Sequence, residues 1–279
     1  MDNCYRFKNI NYNSGIFDKF VDMTYVLLME NSKREKHVYD ELNLFKPTKN
    51  VKIQYNRGFK NCSKDLCEQK SNWDIIHSTY NIFLDCINNN YKNILILEDD
   101  FIVNDIIFDK YIIQNLKDII DNVRLDILLL GIFTSYIITQ KSKIYKCGNK
   151  LNIPCGGTQG YIIKYDAIVK FIKLYEMSCK QAKTFTNNGH IDWFYNSKHF
   201  DTYFYYKPLI IQPLEETENK KTSWNNLLSY IYIYIFNFNN TNKKELVKSY
   251  ELLYKLNYFI IYILFILILI IIYLILYFI

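Results

Sequence analysis

Asn93-Ile-Leu-Ile-Leu-Glu98-Asp99-Asp100-Phe-Ile-Val103, NILILEDDFIV, is the stretch from which the fold can be read. Ile94 to Leu97 form an apolar run of the length of one fully buried strand, and three carboxylates follow with no spacer. A buried strand therefore delivers acid to the edge of a sheet. If the chain stayed extended through the acids, a period of two would put Glu98 and Asp100 on one side and Asp99 on the other. Hard oxygens on a rigid strand end suit Mg²⁺ or Mn²⁺ shared with a phosphate. The alternative is a solvated strand exit, and ligands in open α/β sheets do gather at such ends.

Outward from this strand the pattern alternates. TYVLLM (Thr24 to Met29) reads as a strand, Lys33 to Leu44 as a helix with Ser32 as N-cap, and Val51 to Tyr55 as a second strand. Polar residues 61–70 read as a loop, and the apolar spacing from Trp73 to Ile87 predicts a helix carrying His77. After the acids come a helix over Ile106 to Val123 and a strand, DILLL, closed by Gly131; Ile137 to Tyr145 reads as a hairpin arm. CGGTQGY (Cys155 to Tyr161) turns into Ile162 and Ile163 and a helix from Asp166 to Met177. HIDWFYN groups His190, Asp192 and Trp193, and PLIIQP (Pro208 to Pro213) closes the body as a short extended segment. Strand, helix, strand in this order is an α/β architecture.

The composition allows a full core, with 50% of residues hydrophobic, and 8 Gly with 4 Pro argue against a loop-rich or repeat fold. A net charge of +6 is too diffuse for nucleic acid. The 7 cysteines, irregularly spaced and without a CxxC pair, read as reduced thiols in a reducing compartment. Residues 1–22 read as an N-terminal extension with no apolar signal, and 215–256 as a polar linker and juxtamembrane segment containing the Tyr/Ile alternation of Ser229 to Phe238. Asn257 to Ile279 carries no charge and is long enough to cross a hydrocarbon core of ~30 Å, so it reads as a transmembrane tail anchor. Lys243, Lys244, Lys248 and Lys255 precede it and place the body in the cytosol.

TYVLLMENSKREK, the His77 helix, NILILEDD, DILLLG, GGTQGYII and HIDWFYN, taken in order over residues 23–214, resemble glycosyltransferase family 25, which includes lipooligosaccharide and procollagen galactosyltransferases. The compact element that usually precedes the family's helix is reduced here to His77 in a looser setting, Asp74 to Ser78. The resemblance implies a GT-A-like, Rossmann-type mixed sheet flanked by helices, with the transmembrane helix added after it. It implies inverting, Mn²⁺- or Mg²⁺-dependent transfer of a hexose, galactose or glucose, from a nucleotide-sugar, a UDP-sugar by family expectation, to an acceptor hydroxyl on a glycan, protein or lipid. By the same resemblance Asp100, Asp99 and His190 would hold the metal, Asp192 would act as base with Glu98 as substitute, and Asn31, Arg34, His77, Gly157, Gln159 and Trp193 would line the substrates. Two rivals remain open at this point: a membrane-anchored scaffold with a degenerate transferase fold, and a structural membrane protein.

Overall fold

The computed structural model describes residues 4–132, 142–148, 155–185, 191–195, 198–213, 234, 236–240 and 242–278; within these, the side chains of 185, 193 and 194 and most of those in 257–278 are not described. Its centre is a mixed sheet in the order β1-β3-β2-β4-β8-β6-β9-β7. The strands are β1 (Tyr5–Asn11), β2 (Met23–Met29), β3 (Asn50–Asn56), β4 (Asn93–Leu97), β6 (Ile127–Leu129), β7 (Ile144–Lys146), β8 (Gly160–Lys164) and β9 (Thr202–Tyr205). A two-residue pair, β5 (Ile102–Val103) with β10 (Ile210–Ile211), stands beside it. β3, β2 and β4 run parallel, whereas β8 runs antiparallel between β4 and β6. The carboxyl ends of β2, β3, β4 and β6 thus share one edge with the start of β8.

β4 explains the apolar run. Ile94 and Ile96 point into one core and Leu95 and Leu97 into the other, so both faces are covered and the strand needs no polar alternation. Helices α2 (Ser71–Asn88) and α4 (Tyr165–Tyr175) cover the first face, and α1 (Glu35–Phe45) and α3 (Lys110–Asn122) the second. Two short helices, α5 (Cys179–Phe185) and α6 (Ile191–Tyr195), precede β9.

Three sequence expectations are corrected here. Residues 5–11 are not an extension but an edge strand, paired antiparallel with β3 from Tyr5↔Asn56 to Asn11↔Asn50, and Phe17 behind it is fully buried. The thiols are not reduced: Cys4–Cys62, Cys67–Cys179 and Cys147–Cys155 are disulfides, and buried Cys86 is the free cysteine. Residues up to 112 positions apart come to Cα separations of 5.3–5.6 Å, which spacing in sequence does not reveal. The reducing-compartment argument loses its premise. Third, residues 243–256, read as the end of a polar linker and juxtamembrane segment, are helical and partly buried. They begin helix α7 (Lys243–Phe278), and Leu246, Tyr250, Leu253 and Tyr254, an i, i+4, i+7, i+8 stripe, are buried in the first core. Among the described residues no helix is long and apolar enough to cross a membrane.

The hairpin expected over Ile137 to Tyr145 lies mostly outside the described residues; its end contributes to β7, which pairs with β9. Loop length ranks the disulfides. The Cys67–Cys179 bridge has a sequence separation of 112 and Cys147–Cys155 one of 8. Replacing the first pair with Ser is expected to cost about 2 kcal/mol more than replacing the second, measured by urea denaturation. Equal losses would contradict loop closure as the source.

Candidate active site

The strand character of β4 ends at Leu97, and the acids lie on a turn rather than on an extended edge. The expected alternation of Glu98 and Asp100 against Asp99 therefore does not hold. Arg34 reaches both aspartates, its Nη1 standing 2.9 Å from Asp99 Oδ1 and 3.4 Å from Asp100 Oδ2. Ser32 Oγ donates to Asp99 Oδ2 at 3.4 Å and accepts the Arg34 amide at 3.1 Å, so the turn after β2 is shaped around the acids. Ser32 serves that turn rather than α1, which starts later at Glu35. Asn31 occupies it with φ 63°, a left-handed conformation that Asn tolerates. Asn31 is thus a turn residue, while Arg34 is the residue that meets the acids.

The glycine-rich turn closes the other side. Antiparallel pairing of β4 with β8 sets Leu97 opposite Gly160, and the Glu98 amide donates to the Gln159 carbonyl at 3.2 Å. A Cβ on Gly160 would lie 2.7 Å from the Ile210 side chain, which is why the strand begins with glycine. Thr158 Oγ1 donates its one proton to Glu98 Oε1 and also lies against Asp192, whose carboxylate accepts the Gly157 amide. Gly157 has φ 106°, which favours glycine where its amide must turn to the carboxylate.

Glu98, Thr158 and Asp192 thus come together from β4, the turn before β8, and α6. Burial, then the charge of Asp100, pushes the Glu98 carboxyl up to about 8, with Asp192 and Asp99 adding and the Thr158 bond opposing. Burial likewise raises Asp192 to about 6, against its contacts with Gly157 and Thr158. The folded protein therefore binds these protons more tightly than the unfolded chain. The associated stability is complete below the ordinary carboxylate range and is lost as pH rises through about 8 for Glu98. Glu98→Gln, which keeps the neutral form, is expected to stabilise the fold by on the order of 2 kcal/mol at alkaline pH and to change little at pH ~4. Thermal melts at both pH values check this; the same shift at each would remove Glu98 from the account.

The remaining sequence candidates separate. His77 lies on α2, its Nδ1 2.6 Å from the Tyr5 hydroxyl, among the rings of Tyr5, Tyr80 and Tyr175. The Gln159 side chain is buried and donates to the Ile210 carbonyl at 3.4 Å; what it lends the acids is its backbone carbonyl. His190 and the Trp193 side chain lie outside the described residues. Among the described residues no group of three His, Cys, Asp or Glu side chains is placed to hold a metal ion. Asp99 and Asp100 nevertheless offer the hard oxygen donors that Mn²⁺ or Mg²⁺ prefers, and Arg34 already brings positive charge to them.

Sequence reading missed Thr158, whose only signal is its place within CGGTQG, and the cleft at the same edge. That cleft, about 520 Å³, is lined by Tyr5, Arg6, Phe7, Glu30 and Arg57 at the ends of β2 and β3 and the start of β1. Arg57 Nε stands 3.7 Å from Glu30 Oε2, and Arg6 lies 4.2 Å over the Tyr55 ring.

No protein-family model and no curated protein matches the chain. Among solved structures, the chain has a likeness to a glycosyltransferase involved in the glycosylation of the major capsid of PBCV-1, with a TM-score of 0.38 and 9% identity over 70% of this chain and 96% of that one. A second likeness is to A197 from STIV, with a TM-score of 0.37 and 12% identity over 65% of this chain and 81% of that one. At these scores neither likeness carries an argument about mechanism.

Proposed function

We propose that the protein is an inverting glycosyltransferase with a GT-A-like fold, which moves a hexose from a nucleotide-sugar to an acceptor hydroxyl. The observation that carries this reading is the pair of carboxylates, Glu98 and Asp192, bridged by Thr158 beside the Arg34-braced aspartates at the carboxyl edge of the sheet. The sequence resemblance to family 25 points the same way. In the step, the acceptor oxygen attacks the anomeric carbon and its proton passes to the Asp192 carboxylate. The bond from that carbon to the diphosphate oxygen breaks, and the nucleoside diphosphate leaves with the electron pair. A base held near neutrality by burial suits this role.

Glu98 keeps its proton at neutral pH and acts as a hydrogen-bond donor within the site. Arg34 meets the diphosphate, and the cleft at Arg6, Glu30 and Arg57 seats the nucleoside. Asp99 and Asp100, with His190, would hold Mn²⁺ or Mg²⁺; when bound, the ion neutralises charge on the leaving diphosphate. The donor is a UDP-sugar, galactose or glucose. We also propose that 257–279 seats the protein in a bilayer. The three disulfides favour an oxidising side for its body over the cytosolic side suggested by the lysines.

The test is release and transfer of radiolabelled hexose from UDP-galactose, UDP-glucose and GDP-mannose with Mn²⁺. Turnover with a UDP-sugar and loss of that turnover in Arg34→Ala are expected. A folded protein inert toward all three would favour the scaffold reading.

A further inference from the structure

Asp99 and Asp100 are the two central residues of a turn that begins at Glu98 and is closed by the Phe101 amide, which donates to the Glu98 carbonyl at 3.3 Å. One helix meets this turn and the strand after it at successive levels. Arg34, at the N-cap of α1, reaches both aspartates; His37 Nε2 lies 2.8 Å from the Phe101 carbonyl; and Glu41 Oε2 accepts the Val103 amide at 2.9 Å. Steps of three and then four residues put the three side chains on one face of the helix. A carbonyl only accepts, so His37 Nε2 carries the proton in that bond.

The apolar packing of α1 does not require these two polar side chains. Val38, Leu42 and Phe45 are buried in the same core as Phe101 and Val103, whereas His37 and Glu41 are half-buried. What the polar pair adds is register: it ties backbone groups on either side of Ile102 to the helix that begins at Arg34. Beyond them, Asn104 anchors the segment from the other side, its amide donating to the Leu209 carbonyl at 2.9 Å and its side chain to the Pro208 carbonyl at 2.8 Å. A guanidinium that turns toward a diphosphate loosens its hold on the aspartates. His37 and Glu41 grip the backbone instead, so their hold survives that exchange. We infer that His37, seconded by Glu41, is a positioning residue, which through the Phe101 carbonyl keeps the Asp99 and Asp100 carboxylates aligned for a divalent cation while Arg34 meets the diphosphate. This rests on the transferase reading, in which those aspartates face the ion. Groups that orient metal-facing side chains from behind typically govern metal affinity or activity by about 10–100-fold.

The experiment compares the full chain in detergent with His37→Gln and His37→Asn. Glutamine reaches about as far as Nε2 and keeps a donor, whereas asparagine is one methylene too short. Mn²⁺ binding is read from loss of the free-ion electron paramagnetic resonance signal, transfer from radiolabelled UDP-galactose or UDP-glucose is followed over a Mn²⁺ series, and each chain is melted without metal. His37→Asn is expected to raise the Mn²⁺ dissociation constant about tenfold or more, with kcat at saturating Mn²⁺ within about threefold of wild type. His37→Gln should restore the affinity to within about threefold, and the metal-free melting temperatures of all three should agree within a few degrees. Unchanged Mn²⁺ affinity in His37→Asn overturns the inference, as does a His37→Gln chain that binds as weakly as His37→Asn. A His37→Asn chain without a cooperative melt would assign His37 to the fold and also overturn it. A wild-type chain that binds no Mn²⁺ overturns it as well, whereas one that binds Mn²⁺ but turns over no donor removes the transferase reading and leaves the positioning role to be decided by the binding data.

Discussion

Asp192→Asn is expected to lower kcat for hexose transfer by about 10²–10⁴-fold while leaving the KM for the donor within a few-fold. The amide keeps the shape, and its oxygen still accepts the Gly157 amide beside Thr158, but it cannot take a proton. Glu98→Gln should behave differently at neutral pH, where the native side chain is already neutral, and should keep kcat within about tenfold. The contrast between two carboxylates that share one threonine separates chemistry from packing. The wild-type rate should rise with pH through about 6 as Asp192 loses its proton and fall above about 8 as Glu98 loses its own. Equal losses in the two variants would assign them a common structural role.

Asp74→Ala is expected to cost about 3–5 kcal/mol of stability, the largest single-residue loss expected away from the site. Lys64 and Asp74 form a buried ion pair, with side chains 1% and 5% exposed. Asp74 also accepts the Phe59 amide at 3.0 Å and Asn56 Nδ2 at 3.3 Å, and Lys64 donates to Asn56 Oδ1 while lying 4.5 Å over the Tyr5 ring. Removing either charge leaves the other buried without its counter-charge. Lys64→Met combined with Asp74→Leu should therefore cost less than the sum of the single changes. Urea denaturation of the three variants measures the coupling. Additive losses would mean that the pair does not act as a unit.

The readable parts of the fold were those in which a local pattern has only one packing solution. Ile94 to Leu97 can be buried on both faces only within a covered sheet, and the acids after it must then emerge at the sheet edge. Arg34 was assigned through the family resemblance, and the structure sets it in the turn after β2 against Asp99 and Asp100. What escaped detection depends on partners distant in sequence. β1 looks polar because it lies on the sheet edge, where Arg6, Lys8 and Asn9 face solvent, and only its register with β3 identifies it. The Cys67–Cys179 bridge joins the loop before α2 to the start of α5, 112 positions apart in sequence. His77 drew attention as an imidazole on a helix near the acids, yet its ring is held by tyrosines. Thr158 has no chemistry of its own until the β4–β8 pairing sets it against Glu98. The stripe Leu246, Tyr250, Leu253 and Tyr254 was legible in principle, but the lysines between its members gave the segment a polar reading.

The most direct measurement of the central claim is thermal melting of the full chain in detergent with UDP, GDP or CMP, each with and without Mn²⁺. A nucleotide that binds the folded state at about 100 times its dissociation constant contributes ~2.7 kcal/mol, which shifts the melting temperature visibly. The account predicts a shift with UDP that grows with Mn²⁺ and disappears in Arg34→Ala. A melting temperature that moves with none of the nucleotides would contradict it.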